Sequence, residues 1–136
     1  MQFLLIPLIV MTARADEDQA ETCLRTKIWD GYNSGWAVRT STKATLNQGG
    51  HKVYLVTLYA GNDYKMMACG DANVGNADLV LYDHTGKQVA IDSSNDREPV
   101  LSFTPQATDT YYVAVHASKL NDLTKQGAIA TAVTYK

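Results

Sequence analysis

Cationic residues are scarce: twelve Lys and Arg stand against fourteen Asp and Glu in 136 residues, a formal net charge of −2. No basic run offsets that balance, which excludes the electrostatic footprint a nucleic-acid-binding domain needs. Long apolar runs are missing as well. Nothing approaches the roughly 18 residues of a membrane-spanning helix. There are only three histidines, His51, His84 and His116, and no Gly-x-Ser-x-Gly elbow, so nothing in the sequence advertises a nucleophile with its base. With two cysteines, Cys23 and Cys69, neither followed by a histidine at metal-ligand spacing, no structural zinc motif can be written. The expectation is a non-enzyme that requires no cofactor.

What is present begins with Met1–Ala15 (MQFLLIPLIVMTARA), an apolar run from Phe3 to Met11 closed by Ala13-Arg14-Ala15. A short apolar stretch ending in small-x-small is the pattern of a cleaved export signal, here with an n-region of only Met1-Gln2. A mature chain from Asp16 is long enough for one compact domain and too short for two. Export, to periplasm or medium, puts the cysteines in an oxidising compartment, where they have one pairing, Cys23 with Cys69. Closing that loop stabilises by about 4 kcal/mol in the chain-entropy picture.

From Ser41 the dominant signal has period two. Lys52–Tyr59 sets Val53, Leu55, Thr57 and Tyr59 on one face and Tyr54, Val56 and Leu58 on the other. After the turn Ala60-Gly61-Asn62-Asp63, Tyr64–Cys69 is expected to return as the second arm of a hairpin. Gly70–Ala77 has no apolar periodicity and reads as a loop. Asp78–Asp83 and Gln88–Ile91 flank Asp83-His84-Thr85-Gly86-Lys87, the chemistry of a type I turn closed by a left-handed glycine. Further strands are expected at Pro99–Phe103, Thr110–His116 and Ile129–Tyr135. With Ser41–Leu46 as an edge, about eight strands at roughly ten-residue spacing predict an all-β antiparallel sandwich. Before it, residues 16–40 form an N-terminal segment with about two turns of helix over Glu21–Trp29, tethered by the disulfide. The expected domain is therefore 41–136, after a leader over 1–15.

Asp78-Leu79-Val80-Leu81-Tyr82-Asp83 with Gly86, then Phe103-Thr104-Pro105 and Thr110-Tyr111-Tyr112-Val113-Ala114-Val115, resemble the strand, turn and closing motifs of the bacterial pre-peptidase C-terminal domain family. The likeness spans Val53–Val115 and departs where the family usually has Gly before the Tyr strand, here Ala107-Thr108-Asp109-Thr110. It implies a secreted jelly-roll sandwich and a non-catalytic accessory or binding role, in this case standing alone.

Two constellations can carry a ligand. Asp71, Asn73, Asn76 and Asp78, with Asp83, Asn95 and Asp96, supply the carboxylate and amide oxygens calcium prefers. The spacing is not that of an EF-hand, because Gly75 takes the fifth position and Tyr82 that of the bidentate Glu. Turn capping by the same side chains is the competing reading. Trp29, Tyr32 and Trp36 could form a sugar-stacking platform or instead seal an end of the core. The sequence thus predicts an exported module whose partner is another protein or an extracellular polymer. An inhibitor or immunity protein blocking an extracytoplasmic enzyme, and a carbohydrate-binding module, are the alternatives.

Overall fold

The computed structural model describes residues 14–136, so the leader expected over Met1–Ala15 falls, up to residue 13, outside the described residues. A helix, α1 (Glu17–Tyr32), is followed by eight strands: β1 (Ala37–Asn47), β2 (His51–Leu58), β3 (Tyr64–Gly70), β4 (Val74–Tyr82), β5 (Gln88–Asp92), β6 (Val100–Phe103), β7 (Asp109–Leu120) and β8 (Gln126–Tyr135). They form two four-stranded antiparallel sheets, the first ordered β1-β8-β3-β6 and the second β2-β7-β4-β5. This order, in which consecutive strands alternate between sheets at β1–β2 and β3–β4, is the jelly-roll sandwich.

Alternation fills the space between the sheets. Tyr64 and Met66 on β3, Leu79 and Leu81 on β4, Val113 and Val115 on β7, and Ile129 and Val133 on β8 all point inward and are buried. Strand β8 is covered on both faces. Its inward positions join that core, while Ala128, Ala130 and Ala132 point outward beneath α1. Three alanines there keep the outer surface low enough for a helix to lie on it. Gly127 faces the other way, into the core, where a Cβ would stand 2.6 Å from Val74 and 2.8 Å from Leu120.

The helix has 16 residues where nine were expected over Glu21–Trp29, and its first turn explains the extension at the N-terminal end. Asp16 caps it, its carboxylate accepting from the Gln19 N–H at 2.9 Å, and Glu17 and Asp18 place negative charge at the positive end of the dipole. Ala20, Leu24 and Ile28, at i, i+4 and i+8, pack with Met67 and Cys69 against the alanine face of β8. A disulfide between Cys23 and Cys69 fixes α1 to β3, with Cα atoms 6.0 Å apart and 46 residues between them.

Three expectations are corrected. Strands β2 and β3 are not a hairpin: β2 pairs with β7 and β3 with β6 and β8, so the turn at 59–63 carries the chain from one sheet to the other. The buried Tyr64 ring sets that crossing, its hydroxyl accepting the Tyr59 N–H at 2.8 Å. The loop expected over Gly70–Ala77 shrinks to residues 71–73, because β4 already starts at Val74. Register shifts at Val74/Asn76 and Asn76/Ala77 break the alternation and hide the strand from a period-two reading. Finally, β1 starts at Ala37, four residues before the expected edge. The β4–β5 hairpin has the expected turn, with Gly86 at φ 86° and Asp83 accepting from the Thr85 and Lys87 N–H groups at 2.9 and 3.0 Å.

Candidate functional site

The two sheets differ on their outer faces. On the first, α1 covers β8 and β3. On the second, no element among the described residues lies over the strands, and register arranges the outward side chains in rows across it. One row runs Leu55–Tyr112–Tyr82 and the next Val53–Ala114–Val80–Ile91. Val80 and Ala114, in the middle, are buried by their neighbours, whereas Leu55 is 66% exposed, Ile91 48% and Val53 47%. Tyr59, just past the end of β2, is also exposed. The face is apolar at its rim as well as its centre.

The third row is polar: His51 on β2 faces His116 on β7, which faces Asp78 on β4. The imidazole centres of His51 and His116 lie 5.4 Å apart with planes tilted by 32°. Burial pulls the His116 pKa down from its ordinary value, and the neighbouring His51 adds to this while Asp78 opposes it. One oxygen of Asp78 accepts from the Ser118 hydroxyl. The other is shielded from solvent and has no hydrogen-bond partner among the described residues, as is also true of Asn76 Oδ1. His84 sits apart in the β4–β5 turn, its Nδ1 2.8 Å from a carboxylate oxygen of Asp109.

The oxygen-rich residues named from sequence sit on four segments, of which the β5–β6 link meets β4 where the Asp96 carbonyl accepts from the Ala77 N–H at 2.9 Å. Asp71 is buried, one carboxylate oxygen accepting the Asp16 N–H at 2.7 Å and the other the Asn73 N–H at 3.0 Å. Asn73 bonds through its side-chain amide to the Gln126 carbonyl at 3.0 Å. Asn76 and Asp78 lie on β4, Asp83 in the turn at its far end, and Asn95 and Asp96 in the exposed link from β5 to β6. Asp96 accepts from the Glu98 N–H at 2.7 Å. Among the described residues, the group of three His, Cys, Asp or Glu donors within 4.8 Å of one another is Cys23, Cys69 and Glu98, and its sulfurs are already joined to each other.

The three aromatic residues part company. Trp29 and Tyr32, on the last turns of α1, form an edge-to-face pair with centroids 5.9 Å apart and are 61% and 63% exposed. Trp36 is half-buried between the ammonium groups of Lys65, 4.5 Å from its ring centre, and Lys136, at 5.9 Å. Sequence reasoning missed the His51–His116–Asp78 row, since its members are brought together only by strand register.

No protein-family model and no curated protein matches the chain. Among solved structures it is similar to the pre-peptidase C-terminal domain of a collagenase from Bacillus anthracis, at 18% identity over 71% of this chain and 89% of that one, with a TM-score of 0.54. It is likewise similar to a periplasmic inhibitor of g-type lysozyme from Aeromonas hydrophila, at 14% identity over 74% of this chain and 88% of that one, with a TM-score of 0.52. No helix among the described residues is long and apolar enough to cross a membrane. What these likenesses establish is the fold: the chain is a jelly-roll β-sandwich of the kind found in pre-peptidase C-terminal domains.

Proposed function

We propose that this protein is a non-catalytic exported module that binds another protein through the outer face of its second sheet. The observation that carries the reading is the asymmetry of the sandwich. One outer face is covered over β8 and β3 by a stapled helix, while the other leaves Leu55 66% exposed and Val53 and Ile91 just under half exposed beside Tyr82 and Tyr112. An exposed flat apolar patch with aromatic residues, bounded at one end by the polar His51–His116–Asp78 row, is suited to a protein interface. The disulfide and the leader-like residues 1–15 support export. The fold neighbours support a binding role, one being an appended domain of a collagenase and the other an inhibitor of a lysozyme.

The inhibitor version is the second reading, favoured by the lysozyme-inhibitor neighbour. The test is capture of partners from the extracytoplasmic fraction by wild-type protein and by Leu55→Glu, together with assays of lysozyme activity. A partner retained by wild type and lost by Leu55→Glu supports the face. Equal capture by both moves the interface elsewhere, and no capture with no inhibition removes the binding reading. The reading requires no metal. A calcium ion held by oxygens of Asp71, Asn73, Asn76 and Asp78 is a separate proposal, tested by comparing Tm in millimolar calcium and in EDTA, where a hundredfold excess over Kd stabilises by about 2.7 kcal/mol.

A further inference from the structure

The polar row at one end of the second sheet has a geometry of its own. His51 and His116 are directly opposed on neighbouring strands. The next residue along β7, Ala117, exchanges backbone hydrogen bonds with the Gly49–Gly50 segment, its N–H donating to the Gly50 carbonyl at 2.9 Å and its carbonyl accepting from Gly49 at 2.9 Å. Hydrogen-bonded and open pairs alternate along an antiparallel ladder, so His51 and His116 occupy an open pair, where side chains approach most closely. Both rings project from the uncovered face.

An ion held about 2.1 Å from one nitrogen of each ring at a tetrahedral angle places the two ring centres about 5.2 Å apart. The observed separation is 5.4 Å. The two rings therefore already stand at the spacing that a shared ion demands, and turning each ring about its Cβ–Cγ bond, which leaves its centre nearly in place, is what would bring a nitrogen of each onto the ion. Asp78 lies on the opposite flank of His116 from His51. Its place is thus that of an outer partner to the His116 ring rather than a third ligand. One of its oxygens is fixed by Ser118, and the other, shielded and unpartnered among the described residues, is left to accept from the His116 ring N–H. Carboxylates in that position hold metal-binding histidines in one tautomer and orientation.

We propose that His51 and His116 form a binding site for a divalent transition ion of the zinc class, each supplying one ring nitrogen, with Asp78 as the positioning residue for His116. Two imidazoles with solvent in the remaining positions suit borderline ions that accept nitrogen and do not suit calcium, which requires an oxygen cage. The site is independent of the partner-binding reading, because its variants leave Leu55 and Ile91 in place.

The test is calorimetric titration of EDTA-stripped protein with zinc chloride, with His51→Ala, His116→Ala, Asp78→Asn and His84→Ala alongside. The expected result is one zinc per chain, affinity at least tenfold weaker in either His51→Ala or His116→Ala, about tenfold weaker in Asp78→Asn, and unchanged in His84→Ala. NMR of the wild type gives a readout that does not depend on how the variants fold: at one equivalent of zinc the ring-proton resonances of His51 and His116 should shift together. No binding up to millimolar zinc, full affinity in His51→Ala, or shifts confined to His84 would overturn the site. Full affinity in Asp78→Asn would remove the positioning role.

Discussion

The outer faces of the two sheets have the same backbone geometry and opposite side-chain logic. On the first, the β8 residues beneath α1 are small, Ala128, Ala130 and Ala132, with Met67 of β3 beside them, and a helix with only a modest apolar face of its own lies on them. Short amphipathic helices gain most of their stability from packing, and here Leu24 and the Cys23–Cys69 bridge supply it. On the second sheet the equivalent outward positions are large and apolar, Leu55, Tyr112, Tyr82, Val53, Val80 and Ile91, with nothing described above them. A face built from alanine is designed to be covered within the chain. One built from leucine, isoleucine and tyrosine, and left at the surface, is suited to being covered by something else.

That contrast can be broken most forcefully at the covered face. Replacing both cysteines, Cys23→Ala with Cys69→Ala, should cost about 4 kcal/mol for a loop of this size, read as a lower denaturation midpoint in urea. Leu24→Ala, which empties a fully buried position under the helix, should cost about 3 kcal/mol, and helix-specific hydrogen exchange should rise before the sandwich opens. A loss below about 1 kcal/mol from Leu24→Ala would mean that the helix is an ornament rather than part of the fold.

A smaller effect sits at the seam between the sheets. Asp92, on β5 of the second sheet, accepts the N–H of Val100, on β6 of the first, at 2.8 Å. Burial pushes its pKa up, but hydrogen bonds from the Ser94 hydroxyl and N–H and from Val100 outweigh this and hold it below 3.8. A carboxyl with a lower pKa folded than unfolded adds stability above its unfolded value, and that stability is lost as pH falls through the folded value. Wild type should therefore lose stability below about pH 3.8 faster than Asp92→Asn, as measured by Tm against pH. The smallest change in stability belongs to the bare face. Leu55→Glu should leave the unfolding free energy within about 0.5 kcal/mol of wild type while abolishing partner capture. A large destabilisation there would make the second face structural too, and the asymmetry would lose its meaning.

How far the sequence led depends on how local each feature is. The β4–β5 hairpin was legible because Asp83 and Gly86 determine their turn within five residues. Period two around Val56 and Leu81 pointed to a sandwich for the same reason. The turn at residues 60–63 misled because a Gly-Asn-Asp corner reads alike whether the strands beside it pair or separate into two sheets. What distinguishes the cases is the pairing of β2 with β7, more than fifty residues away. The histidine row was invisible on the same grounds: His51, Asp78 and His116 share no local pattern, and register alone aligns them. Trp29 and Tyr32 were recognisable as residues outside the strand pattern, but their exposure follows from a helix longer than its apolar spacing suggested.

The positions of β7 and β8 have a consequence for the timing of folding. Each is an interior strand of its sheet, β8 joining β1 to β3 and β7 joining β2 to β4, and each is made late. Until the residues from Asp109 onward have emerged from the ribosome, β1 and β2 have no partners to pair with, and neither sheet can close. Topologies dominated by such distant pairings fold slowly. Local elements such as the β4–β5 hairpin can form earlier, but neither sheet is complete until β7 and β8 have been made. The strand order thus acts as a delay on folding, and a chain stopped before Gln126, which lacks the strand joining β1 to β3, should stay protease-sensitive.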